Sequence, residues 1–75
     1  MTMSTTQGSI WTMVTQEYGR WDPDWSRLMP ETELHQRLPA VPPDVIDDTL
    51  DKAASDQLAE IGQVGAERAF RPLHR

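Results

Sequence analysis

The chain has 75 residues, no cysteine and a formal net charge of −5. A chain of this length forms one domain at most and buries only ~60% of the surface that its unfolded form exposes, so we expect marginal stability or help from a partner. The missing cysteine excludes disulfides and thiolate metal sites, and an acidic chain without a basic stripe argues against nucleic-acid binding.

The first eight residues are polar and aperiodic, which predicts a flexible N-terminus over residues 1–8. They have neither the basic start nor the apolar run of a signal peptide, and no later stretch approaches the ~18 apolar residues of a membrane span. We therefore expect a cytoplasmic protein that does not bind membranes.

Residues 9–38 form a tryptophan-rich segment in which we expect short helices. Four apolar or aromatic residues at its start fall at helical spacing: Ile10, Trp11, Val14 and Tyr18. Ser9 is a suitable cap and Gly19 a suitable stop, so a helix is predicted over residues 9–18. A strand is the alternative, because valine, isoleucine, threonine and aromatic residues favour strands.

Two more short helices are predicted before residue 39. Asp22 and Pro23 suit the cap and the first position of a helix that Pro30 interrupts. A further helix is expected over residues 31–38, since Glu31 lies at its start and Arg37 near its end, as the helix dipole favours.

Three prolines between residues 39 and 43 predict an extended connector on the surface, because proline fixes φ and favours extended neighbours. An acidic amphipathic helix follows in residues 44–70, with its main part over about 44–61. Its apolar stripe is Ile46, Leu50, Ala54, Leu58 and Ile61. Gly62 and Gly65 weaken the later turns, and residues 71–75 form a basic tail. The predicted fold class is thus mostly α: a small, partly extended chain with one main helix, short helices before it and a proline-rich connector.

Three patterns in the sequence suggest metal chemistry, and each has a simpler explanation. Asp47, Asp48 and Asp51 spell DDxxD, but 75 residues cannot build the deep pocket of a diphosphate enzyme, so we interpret them as a solvated helix start. Asp22 and Asp24 have the spacing of two ligands in a calcium-binding loop. This sequence lacks the diagnostic glycine of such a loop, so we interpret these residues as a helix cap.

Glu31 and His35 lie one helical turn apart, with Glu33 nearby, and His74 is the other imidazole of the chain. Zinc requires three or four ligands, so we interpret Glu31 and His35 as an exposed helical pair. We therefore assign no metal site, no cofactor and no catalytic residue, and we expect that the chain is not an enzyme on its own.

Four large aromatic rings lie within fifteen residues, next to two arginines. Tryptophan, tyrosine and arginine are enriched in binding hot spots. The predicted partner-binding residues are Trp11, Tyr18, Arg20, Trp21, Trp25 and Arg27. The alternative is that these rings form the core of a small helical domain.

Together these features favour a non-catalytic accessory subunit that binds and stabilises a larger protein, with a hetero-oligomer as the expected assembly. One alternative is an acidic regulatory or inhibitory protein, of the phage or antitoxin type, that occupies a basic groove of its target. Another is a homo-oligomer that uses the apolar stripe of the main helix as its seam.

Overall fold

A computed structural model describes residues 5–73, with side chains from residue 8 onward. In chain order, the elements are α1 (Thr5–Trp21), β1 (Met29–Pro30), α2 (Glu31–Arg37), α3 (Pro43–Ser55), β2 (Ala59–Val64) and β3 (Glu67–Pro72). The strands form one antiparallel sheet in the order β1-β3-β2. The prediction of a mostly α chain is therefore wrong, because the described residues form a small α+β fold.

The helix predicted over residues 9–18 is confirmed, and α1 is longer than expected at both ends. Its first turns include residues 5–8, for which the sequence predicts a flexible terminus, while residues 1–4 lie outside the described part. Gly19 does not end the helix. A Cβ built at this position would lie 3.4 Å from Trp25 Nε1, so glycine lets the indole pack closely against α1.

No helix follows Asp22, contrary to the prediction, and residues 22–28 form a loop. Asp22 is buried, and its carboxylate accepts hydrogen bonds from the amides of Asp24, Ser26 and Arg27 at 2.9–3.1 Å. Trp25 has φ of 56°, a left-handed conformation that is uncommon for a bulky residue. The aspartate thus caps a tight loop instead of a helix.

The predicted helix over residues 31–38 is confirmed as α2, with Leu38 as its C-cap. The proline-rich stretch after it is not an extended connector. Its chain turns at Pro39 and Ala40, the amide of Val41 donates to the carbonyl of Leu38, and the Val41 side chain is buried in the core. Pro43 begins α3, as its preference for the first helical position predicts.

The main helix ends at Ser55, well before residue 61. Beyond its cap at Asp56, Gln57 adopts φ of 62°, and the amides of Gln57 and Leu58 donate to the carbonyls of Ala54 and Ala53. This pair of bonds is the Schellman motif, with glutamine in the place where glycine is usual. The later part of the predicted helix forms β2 and β3 instead.

A hairpin joins β2 to β3 through Gly65 and Ala66. Gly65 has φ of 63° at the first central position, as in type II′ turns. Phe70 of β3 lies between Met29 of β1 and Ile61 of β2. The strand pairing therefore places Phe70 and Arg68 on one face of the sheet, because side chains alternate along a strand.

The helices and this face of the sheet enclose a single hydrophobic core. Its buried members are Val14, Tyr18, Met29, Leu34, Val41, Ile46, Leu50 and Phe70. Within the described range, no helix is both long and apolar enough to cross a membrane.

Candidate functional site

The tryptophan-rich segment folds around Tyr18, the central member of what we call the aromatic cluster (Tyr18, Trp21, Trp25 and Phe70). The Tyr18 ring lies 5.8 Å from Trp21, 5.3 Å from Trp25 and 5.7 Å from Phe70, measured between ring centroids. The contact with Trp25 is edge-to-face, and tilted or edge-on pairs of this kind stabilise the fold beyond simple burial. Rings from α1, the following loop and β3 thus form one unit.

Tyr18 is fully buried, and its hydroxyl donates a hydrogen bond to the carbonyl of Arg27. Burial is the largest cause of its raised pKa and the nearby Asp22 carboxylate adds to it, whereas the positive charges of Arg71 and Arg27 oppose both. The sequence predicts that Tyr18 helps to bind a partner. In this fold its side chain lies in the core, where it contacts the other rings of the aromatic cluster.

The three tryptophans are only partly buried, and each packs against the edge of the core. The chain itself therefore covers much of the apolar surface of the three tryptophans, which the sequence alone did not reveal. The remaining indole surface lies at the exterior, where a second molecule can reach it. Both interpretations of the aromatic residues therefore describe part of the structure: Tyr18 is core, and the tryptophans lie between core and solvent.

Of the two predicted arginines, Arg27 lies over an indole, whereas Arg20 pairs with a carboxylate of α1. The Arg27 guanidinium carbon sits 4.3 Å from the centroid of Trp21, and the side chain is 62% exposed. Arg20 is 73% exposed and pairs with Glu17 at 2.8 Å. We call Trp11, Trp21, Trp25, Arg20 and Arg27 the Trp/Arg surface.

A second cluster joins α2 to α3. Glu31 and His35 extend from α2, as their spacing predicts, and Asp47 of α3 faces them. His35 Nε2 lies 4.0 Å from Glu31 Oε2 and 3.4 Å from Asp47 Oδ1. His35 Nε2 and Asp47 Oδ1 are buried atoms without a hydrogen-bond partner, so their short contact does not have the orientation of a hydrogen bond.

Arg68 of β3 closes the other side of this cluster. Its guanidinium donates to Glu31 and, at 2.6 Å, to Asp51 of α3. The bond to Glu31 uses Oε1, which leaves Oε2 facing His35. Desolvation acts to lower the pKa of Arg68, but the two carboxylates outweigh it and raise the pKa.

The pKa of Glu31 is raised from its ordinary value. Burial is the largest cause, Arg68 opposes it, and the neighbouring Asp47 carboxylate raises the pKa further. Like charges thus face each other across the contact between α2 and α3, and the cluster favours an additional positive charge.

Sequence reasoning found part of this cluster and missed the rest. Helical spacing identifies Glu31 and His35, and the DDxxD pattern identifies Asp47 and Asp51, but as two separate sets. No local signal predicts that α2 and α3 bring them together. Arg68 was missed because a helix was predicted for its segment, and His74 lies outside the described residues.

Among the described residues, no cavity or cleft encloses a small molecule. Comparison of the chain with protein-family models, with curated protein sequences and with solved structures finds no match.

Proposed function

We propose that this protein is a small, non-catalytic accessory subunit that binds and stabilises a larger protein through the Trp/Arg surface. One observation carries the proposal: buried Tyr18 holds Trp21 and Trp25 in fixed positions while both indoles keep part of their surface at the exterior. Rigid aromatic side chains lose little conformational entropy on binding, which is why they dominate many interfaces.

The arginines support the same proposal. Arg27 lies over the ring of Trp21 and remains largely exposed, so its guanidinium is held in place while part of it stays accessible to a partner. Tryptophan and arginine are the residue types most enriched among hot spots. The partner that fits this surface is a folded protein with an apolar recess rimmed by carboxylates. We place the complex in the cytoplasm, where a cysteine-free chain is at no disadvantage.

The alternative, an acidic inhibitor of a basic groove, depends on the carboxylates of α3. Two of them already face basic side chains of the same chain, His35 in the case of Asp47 and Arg68 in the case of Asp51. This reduces the acidic surface that α3 offers to a target, and we therefore rest the proposal on the aromatic residues.

The proposal is tested by capturing partners from the native source with tagged protein and quantifying them by mass spectrometry. Wild type is compared with Arg27→Ala and Trp21→Ala, after thermal melts have shown that each variant is folded. We expect one protein to be enriched by wild type. Truncating a hot-spot tryptophan weakens binding by ~30- to 1000-fold, so Trp21→Ala should lose this protein.

Val64→Ser is the matched control, because Val64 is 42% exposed on β2, outside the Trp/Arg surface. It should capture the same protein as wild type. Equal capture by all four proteins would contradict the proposal. Loss of capture by Asp44→Asn and Asp48→Asn together, with a steep dependence on salt, would favour the acidic inhibitor instead.

A further inference from the structure

We propose that Glu31, His35 and Asp47 bind a divalent transition-metal ion, best matched by zinc, and that the ion fastens α2 to α3. Their three donor atoms, one imidazole nitrogen and two carboxylate oxygens, lie within 4.8 Å of one another. This site is separate from the Trp/Arg surface and does not depend on the proposed function.

The distances between the donor atoms fit a single ion. Zinc binds nitrogen and oxygen ligands at ~2.0–2.2 Å, so two ligands of a tetrahedral site lie roughly 3.3–3.5 Å apart. The separation of His35 Nε2 from Asp47 Oδ1 is 3.4 Å, and that of His35 Nε2 from Glu31 Oε2 is 4.0 Å. The second distance is longer than this range, so Glu31 Oε2 must move toward His35 Nε2 when the ion binds.

The hydrogen bonding of the cluster also indicates a missing ligand. His35 Nε2 and Asp47 Oδ1 are buried atoms that no hydrogen bond satisfies. Buried polar atoms without a partner are rare in folded proteins and each requires an explanation. A metal ion between them satisfies both atoms at once.

The charge of the region matches a dication. Two carboxylates, those of Glu31 and Asp51, contact the guanidinium of Arg68, and the Asp47 carboxylate faces His35. The three carboxylates and one guanidinium together leave two negative charges in excess. Arg68 binds Glu31 through Oε1 and leaves Oε2 available.

The ligand types select among the metals. Imidazole suits zinc and other first-row transition metals, whereas magnesium and calcium prefer oxygen ligands alone. Three protein ligands leave the fourth tetrahedral position to water. The ligands come from two helices, so binding of the ion stabilises their contact and therefore the folded state.

The test uses full-length protein treated with a chelator, then titrated with zinc chloride and followed by calorimetry and thermal melts. We expect one zinc ion per chain. At a free zinc concentration ~100-fold above Kd, the melting temperature should rise by roughly 10–20 °C. Magnesium at the same concentration should leave it unchanged.

Asp47→Asn and His35→Gln each remove one ligand while keeping a similar shape, and each should weaken zinc binding by at least ~10-fold. The matched controls are Asp48→Asn, next to Asp47 on α3, and His74→Gln, which removes the other imidazole. Both should bind zinc as wild type does.

Nitrogen-15 NMR of the imidazoles in His74→Gln provides a second measurement that requires no ligand variant to fold. Zinc should shift the His35 Nε2 resonance. The proposal is overturned if this resonance does not move, if zinc binding survives in both ligand variants, if His74→Gln abolishes it, or if magnesium stabilises the protein equally.

Discussion

At the scale of single residues, Asp22 has the largest local influence on the backbone. Its buried carboxylate accepts hydrogen bonds from the backbone amides of Asp24, Ser26 and Arg27 and from the Ser26 hydroxyl. These bonds hold the loop in which Trp25 takes its left-handed conformation. Asp22 therefore positions the indole that packs on Tyr18.

The pKa of Asp22 predicts how stability depends on pH. Burial acts to raise this pKa, but the amides of Ser26, Arg27 and Asp24, together with the Arg27 guanidinium, outweigh it and lower the pKa. An aspartate whose pKa is lower in the folded state stabilises the fold above its unfolded pKa of ~3.9. That contribution disappears as the pH falls through the lower, folded value.

We expect Asp22→Asn to be less stable than wild type at neutral pH and to lose less stability than wild type below about pH 4. Urea denaturation at several pH values, followed by tryptophan fluorescence, measures both effects. Pro23→Ala is the control, because it alters an exposed, uncharged residue of the same loop. If Asp22→Asn and wild type lose stability in parallel as the pH falls, the role assigned to this carboxylate is wrong.

The sequence identified Asp22 as a capping residue but predicted a helix after it instead of a loop. The residue types explain why. Aspartate followed by proline is a common start both for a helix and for a turn, and the sequence signals are the same for each. The outcome depends on Tyr18, whose hydroxyl bonds to the carbonyl of Arg27. If these residues formed a helix, the Arg27 carbonyl would instead accept a backbone hydrogen bond within that helix.

At the scale of secondary-structure elements, Arg68 connects three of them. It extends from β3 and donates to Glu31 of α2, and to Asp51 and the carbonyl of Asp47 on α3. The Glu31 side chain is only 15% exposed, so this carboxylate has little access to water without the guanidinium. The sheet and two helices are thus held together by charge as well as by the core.

Arg68→Met keeps the aliphatic part of the side chain and removes the charge. We expect a loss of ~1–3 kcal/mol in the free energy of unfolding, because Glu31 then lacks its charged hydrogen-bond donor. Arg20→Met is the control. Arg20 is 73% exposed, and a surface pair such as Arg20 and Glu17 contributes at most ~1 kcal/mol. Chemical denaturation in the presence of a chelator gives both values, and equal losses would contradict the connecting role.

The end of α3 shows where prediction of elements fails. The apolar stripe continues at helical spacing to Leu58 and Ile61, but the helix stops because Gln57 enters the left-handed region. Glutamine gives no stop signal, whereas glycine or asparagine would. Gly65 does mark a boundary, since it lies in the turn between β2 and β3. From the sequence pattern, however, it is interpreted as a weak point in a helix.

At the scale of the whole molecule, stability depends on the contact between the helices and the sheet. Phe70 is fully buried, and it touches Tyr18 of α1 while its strand neighbours are Met29 and Ile61. Strands as short as β1 are not stable alone. The three-stranded sheet therefore forms only where Phe70 and the helices cover its inner face.

We expect Phe70→Ala to lower the free energy of unfolding by ~3–5 kcal/mol, the usual cost of removing a buried aromatic ring. A domain of this length has roughly 4–11 kcal/mol in total, so the variant should lose a large share of its stability. Leu73→Ala removes an exposed side chain three residues later and should change stability by ~0.5 kcal/mol or less. Urea titrations measure both variants, and a Phe70→Ala loss no larger than that of Leu73→Ala would show that the sheet is not part of the core.

The sequence by itself determined the local features of this protein. Helical spacing and capping preferences identified α1, α2 and the start of α3, and spacing alone paired Glu31 with His35. These signals act over one or two helical turns, where the identity of the residues decides the backbone. The order of residues also places Tyr18 and the three tryptophans in one short segment.

Only the tertiary structure decided how distant segments meet. It turned the second half of the predicted helix into a hairpin, in which Phe70 packs against Tyr18. It placed Asp47 opposite His35 and Arg68 beside Glu31, which lie far apart in the sequence. Strand pairing and contacts between helices depend on partners that no local pattern specifies. For that reason the sheet and the cluster of Glu31, His35 and Asp47 could not be read from the chain alone.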